Sequence, residues 1–254
     1  MAATQLARAD LETLLRARKL DRTLTSALPP VDPRDDFAIA PTGLPDLDAR
    51  LGGGFPRGQL SEIVGPRSSG RTSMTLRMLA AATARGELVA LVDALDRLDV
   101  ASADAAGIDL ERLLWVRGLM VMNPGLCRDL NQRALEQAIK AFALVLQAGN
   151  FGLVVFDAAE APADAIRRLP FTTWLRLQRM VEGTPTACVL AGAQAMARSS
   201  AGLTVTLGIR AAGSGIRFRG RLFAGVDLEA RVIRARARWQ EHSDVRVPLS
   251  TACA

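Results

Sequence analysis

Apolar and polar positions follow two rhythms along this chain, and the change from one to the other near Ala201 organises the fold expectation. Residues 3–20 set Leu6, Leu11, Leu14, Leu15 and Leu20 at helical spacing against Arg8, Arg16, Arg18 and Lys19, which predicts an amphipathic N-terminal helix. Leu28 to Asp36 holds Pro29, Pro30 and Pro33 among charges and reads as an extended connector. From Pro41 a turn and a helix lead into a strand at Gln59 to Val64, a helix at Thr72 to Arg85 and a strand at Leu88 to Val92. Leu113 to Val116 reads as a short strand, Leu130 to Gln147 as a helix and Phe151 to Phe156 as a strand apolar on both faces. A helix at Arg167 to Val181 and a strand at Thr186 to Ala191 follow. This order predicts an α/β fold: a doubly wound, mainly parallel central sheet flanked by helices. After Ala201 the period shortens to two over 203–210 and 216–239, the rhythm of late antiparallel strands extending the sheet. From about Gln240 the pattern fades, so a loosely ordered tail is expected. The expected organisation is therefore a helix and connector over 1–39, a core over 40–240 and a tail over 241–254.

A chain of 254 residues suits one such core with terminal additions. No apolar run approaches the roughly 18 residues of a membrane-spanning helix, and the start lacks a charged segment followed by an apolar one, so a cytoplasmic protein without membrane contacts is expected. Cys127, Cys188 and Cys253 are too scattered for a disulfide framework or a zinc site. His242 is the only histidine and tyrosine is absent, which argues against histidine-based metal sites and nucleophilic catalysis. The net charge is +6, and all but Lys19 and Lys140 of the 32 basic residues are arginine. A basic surface favours nucleic acid or an acidic partner, although a compositional bias of the genome produces the same excess.

Candidate chemistry concentrates in Gly65-Pro66-Arg67-Ser68-Ser69-Gly70-Arg71-Thr72-Ser73, a turn from a strand into a helix. Backbone N–H groups at such a turn surround an anion, glycines let the backbone come close, and the Thr72 hydroxyl suits an Mg²⁺ shell. Gly65, Ser69, Gly70, Arg71, Thr72 and Ser73 are the candidate nucleotide-binding residues. Arg71 stands where a phosphate loop carries lysine. Guanidinium keeps the charge but is longer, planar and forked, so phosphate binding can persist while hydrolysis is lost. The bland alternative is a strand–turn–helix whose glycines serve only the turn.

The segment from Pro41-Thr42-Gly43 through Leu47-Asp48, Gly52-Gly53-Gly54-Phe55-Pro56-Arg57-Gly58 and Glu62-Ile63-Val64-Gly65 resembles the start of the RecA recombinase core, a P-loop NTPase. Leu91-Val92-Asp93-Ala94 is similar to the family's second strand, and Phe151 to Asp157 to its Walker B strand. The resemblance implies that Asp157, with Thr72, would hold Mg²⁺, and that Gln194 would sense the γ-phosphate. It places Leu95 where the family carries the glutamate that activates water. Leucine cannot orient water, and Asp96 points to another face. The resemblance therefore implies ATP or ADP with Mg²⁺ held weakly or not at all, and no catalytic residue. Among RecA-like chains with degraded loops it looks most like ImuA, an accessory of the bacterial error-prone translesion polymerase module. That resemblance implies a nucleoid-associated protein of the SOS response and DNA repair. Its partners would be an ImuB-like protein, an error-prone DNA polymerase and RecA.

The late strands gather Arg210, Arg217, Arg219, Arg221, Arg231 and Arg234, either a DNA-binding track or a charged edge that resists aggregation. The helix at 3–20 either docks on a second copy, giving self-association, or folds on its own core. The leading functional expectation is a non-hydrolysing scaffold in translesion synthesis. An active recombinase-like ATPase and a SulA-like inhibitor of cell division are the alternatives.

Overall fold

The computed structural model describes residues 39–119, 128–197, 202–209, 216–219, 222–234 and 244–250. Strand β1 (Ile39–Ala40) pairs antiparallel with β2 (Phe55–Pro56) across helix α1 (Pro45–Arg50). The Thr42 N–H and hydroxyl both donate to Asp48 at 2.8 Å, which ties the turn before α1 to that helix. Next come β3 (Leu60–Val64), α2 (Arg71–Ala84), β4 (Val89–Asp93), α3 (Val100–Ala105), a 3₁₀ turn at Leu110–Arg112 and β5 (Leu113–Arg117). Helix α4 (Arg128–Ala148), β6 (Leu153–Asp157), α5 (Ala163–Arg167), α6 (Phe171–Val181) and β7 (Ala187–Gly192) complete the alternating part. The last elements are β8 (Thr204–Ile209), β9 (Ile216–Arg219), β10 (Leu222–Arg234) and β11 (Asp244–Ser250).

The main sheet has nine strands in the order β11-β10-β8-β3-β7-β6-β4-β5, with β9 pairing β10. Each neighbouring pair from β8 to β5 is parallel, whereas β10 is antiparallel to β8, β9 and β11. Both faces are covered. Val89, Leu91, Leu153, Val155, Ala187 and Val189 turn to the face under α1 and α2, while Ala90, Val92, Val154, Phe156, Cys188 and Leu190 turn to the face under α4 and α6. Strand residues that alternate between two buried faces read as continuous apolar runs, which is why these segments resemble strands buried in a parallel sheet. The α/β architecture is as expected, and Trp174, 4% exposed, packs in the second face. Cys188 is buried, which pushes its thiol pKa far upward and leaves it inert.

Three details differ from the sequence expectation. The helix expected over Arg167 to Val181 is two helices, because Pro170 N-caps α6 and cannot continue α5. The segment after Gln240, expected to lack pattern, carries β11, paired residue for residue with β10 from Asp244↔Arg231 to Ser250↔Gly225. Its apolar positions Val245, Val247 and Leu249 alternate, but Pro248 masks the rhythm. Finally, β8 joins the parallel block beside β3 before the antiparallel extension begins. The helix expected at 3–20, the connector over 28–36, Cys127 and Cys253 lie outside the described residues. No helix among the described residues is long and apolar enough to cross a membrane.

Candidate functional site

The parallel strands β3, β6 and β4 end at one edge of the sheet, with β7 between β3 and β6, and the turns that follow them border a cavity of about 240 Å³. Its lining includes Arg67, Thr72, Thr75, Asp93, Leu95, Arg97, Asp157 and Glu160. Carboxyl ends of parallel strands are where open α/β sheets place their ligands, since the loops there diverge to opposite faces.

The turn after β3 keeps the shape of a phosphate loop for local steric reasons. Gly70 N-caps α2 in the left-handed region at φ 90°. A Cβ on Gly65 would meet the Leu207 carbonyl oxygen at 2.4 Å and the Ser69 hydroxyl at 2.5 Å. Both glycines are thus required by the chain's own packing, before any ligand is considered. Thr72 and Ser73 are exposed in the first turn of α2, and Thr72 lines the cavity.

Arg71 does not project into the cavity as a free cation. Its side chain is 5% exposed, and its guanidinium donates from Nη1 to the Ala159 carbonyl and from Nη2 to Glu160 Oε1, both at 2.8 Å. The second oxygen of Glu160 lies 3.4 Å from Nε of Arg67, so one carboxylate faces an arginine at each end of the loop. Asp157, the last residue of β6, accepts the Ala159 N–H at 2.9 Å and so shapes the turn that presents the Ala159 carbonyl to Arg71. Burial pushes the Asp157 carboxyl up to about 6; Asp93 and Glu160 add to this against the Ala159 N–H and Arg71.

After β4, Asp93 is spent on structure. Its carboxylate accepts N–H groups from Arg97 at 2.6 Å and Leu98 at 2.8 Å, with Leu95 N–H and the Trp115 indole N–H at 3.3 Å. Leu95 is buried in the core under α4 while also contributing to the cavity wall. Asp96, which sits at φ 55°, turns to Arg117 and accepts two hydrogen bonds at 2.7 Å. Hydrogen bonding to that guanidinium, which lies 4.8 Å from the Trp115 ring centroid, holds the Asp96 carboxyl below the usual range.

The arginine in the lysine position does not fit a firmly held triphosphate while Glu160 is bound to it. Its guanidinium is engaged by an internal carboxylate and by the Ala159 carbonyl. Of the expected site residues, Thr72 and Asp157 do share the cavity. Gln194 is exposed two residues beyond β7 and is not part of that lining. Arg217 and Arg219 lie on β9, and Arg231 and Arg234 on β10, whose register shifts between Val232 and Arg234. Arg210 and Arg221 lie outside the described residues.

Glu160 and Ala159 are the site residues that sequence reasoning missed. The only signal was an acid three positions after Asp157 in an otherwise small-residue turn, Ala158-Ala159-Glu160-Ala161.

Comparison with known proteins agrees with this architecture. Residues 31–166 match the RecA N-terminal domain family. Protein RecA of Clavibacter michiganensis subsp. michiganensis is 39% identical over 131 residues, 51% of this chain and 32% of that protein. Protein RecA of Methylococcus capsulatus is 39% identical over 127 residues, 50% of this chain and 33% of that protein. Protein RecA of Prochlorococcus marinus is 47% identical over 74 residues, 29% of this chain and 20% of that protein. The first two matches each span about a third of the relative's length. With a parallel sheet, a glycine-bounded loop at its carboxyl ends and a family match over more than half its length, the chain belongs to the RecA N-terminal domain family.

Proposed function

We propose that this RecA-like protein is a non-hydrolysing scaffold in DNA-damage-induced mutagenesis and translesion synthesis. It acts through contacts with an ImuB-like protein, an error-prone DNA polymerase and RecA, and through DNA. The observation that supports it best is the engagement of Arg71 by Ala159 and Glu160. With Leu95 apolar and Asp96 bound to Arg117, neither a phosphate clamp nor a water-activating base remains at the carboxyl ends of the strands. A RecA-like core without turnover retains its surfaces for binding, which is a scaffold's role.

The test uses the purified full chain with Mg·ATP and single-stranded DNA. The expected result is hydrolysis no faster than in buffer, unchanged in Asp157→Ala, together with co-purification of the ImuB-like protein and polymerase subunits. DNA-stimulated hydrolysis that is lost in Asp157→Ala would sink the proposal in favour of an active ATPase. Co-purification of division proteins in place of polymerase subunits would redirect it to the SulA-like alternative. DNA binding through β9 and β10 should weaken steeply with salt, and further in Arg217→Ala with Arg219→Ala.

A further inference from the structure

A carboxylate pinned between two arginines of a phosphate loop has the chemistry of the ligand the loop is shaped for. Glu160 offers two anionic oxygens, one at 2.8 Å from Nη2 of Arg71 and one at 3.4 Å from Nε of Arg67. Carboxylate and phosphate oxygens satisfy the same guanidinium donors in the same planar, forked geometry, so one can stand in for the other. We infer that Glu160 is an internal counter-anion occupying this loop, so that a di- or triphosphate enters only when Glu160 is displaced or neutralised. This rests on the non-hydrolysing reading above and deepens it: the site is closed by its own chain, with its cradle retained.

The side chains around the cavity offer an incoming polyanion no excess of positive charge. Asp93, Asp157 and Glu160 face Arg67 and Arg97 across the lining, and Arg71 behind them is already paired. A phosphate must displace an existing ion pair to reach Arg71. The two sides of that pair differ in exposure. Arg71 is 5% exposed and locked also by Ala159, whereas Glu160 is 27% exposed at the rim and tied on its outer side only to the exposed Arg67. Displacement would therefore swing Glu160 outward and leave the arginine in place.

The cradle itself does not depend on Glu160. Gly65 is held by packing against Leu207 and Ser69, and the Ala159 turn by Asp157. Two buried hydroxyls, Ser69 Oγ in the loop and Thr75 Oγ1 in α2, have no hydrogen-bond partner among the described residues, and Thr75 lines the cavity. Unsatisfied hydroxyls at the loop are an independent sign of a site shaped for a polar ligand.

The test titrates inorganic pyrophosphate and Mg·ATP into the full wild-type chain, Glu160→Gln and Glu160→Asp by calorimetry at low salt. Glu160→Gln should bind pyrophosphate roughly tenfold or more tightly than wild type, because it removes the competing charge and keeps the side chain's size. Glu160→Asp, one methylene shorter, should fall between the two and serves if the glutamine variant does not fold. Equal affinities for wild type and both variants overturn the inference, as does a complete lack of binding in all three. Either result leaves the non-hydrolysing reading standing, whereas ATP turnover by wild type sinks that reading by a separate measurement.

Discussion

Two arginine–glutamate pairs sit at opposite ends of the same parallel sheet, and they do different work. At the amino ends, Arg57 donates to the carbonyls of Ile39, Gly152 and Pro185 and to Glu87, over distances of 2.8 to 3.0 Å. Those partners belong to β1 or lie within two residues before β6, β7 and β4, so one guanidinium staples four strands. Its side chain is 8% exposed, that of Glu87 is 6%, and Arg85 adds a second bond to the same carboxylate oxygen. At the carboxyl ends, Arg71 joins only the β6–α5 turn to the loop after β3, and its partner Glu160 borders a solvent-reached cavity. The same chemistry is structural where carbonyls from several strands converge and becomes a gate where one partner can leave.

Breaking the first pair should cost most. Arg57→Ala removes the donor to the Ile39, Gly152 and Pro185 carbonyls and leaves Glu87 to Arg85 alone, and is expected to lose about 2–4 kcal/mol of stability, read by urea unfolding at pH 7. The second effect runs the other way and comes from burial of the Asp157 carboxyl, with Asp93 and Glu160 adding to it. The Asp157 carboxyl is raised from 3.8 to about 6, so the folded state holds its proton more tightly than the unfolded state. The stability this provides is complete below about pH 4 and is lost as pH rises through about 6. Asp157→Asn should therefore stabilise the protein by up to about 3 kcal/mol at pH 7.5 and make little difference at pH 4. Matching curves for both proteins across that range would contradict it.

Glu160→Gln should destabilise by about 1–2 kcal/mol, less than Arg57→Ala, since Arg71 keeps Ala159 and the rim readmits water. A loss as large as that of Arg57→Ala would show Glu160 to be a staple too. Asp96→Asn should be smallest of all: its pair with Arg117 is at the surface, and the melting temperature is expected to stay close to that of wild type.

Much of the fold was legible because burial on two faces forces continuous apolar runs, as in Leu153 to Phe156, and because Gly65 and Gly70 bracket a turn of fixed length. Leu95 and Arg71 were legible as departures from a pattern. The consequences of Arg71 were not. Its partner Glu160 is 89 positions away, and only the parallel pairing of β6 between β4 and β7 brings that turn to the loop. Arg57 was overlooked for a similar reason: inside Gly54-Phe55-Pro56-Arg57-Gly58 it looks like a solvated turn residue, yet carbonyls 95 and 128 positions away converge on it. Local rhythm predicts elements, while charge pairing between distant turns depends on strand order.

Gly65 has a bearing on how this chain can change over time. Its neighbours Leu207 and Ser69 exclude any side chain at that position whether or not phosphate ever enters. Selection for a folded sheet is then enough to preserve the loop's outline, like a keyhole that stays in the door after the lock has been taken out.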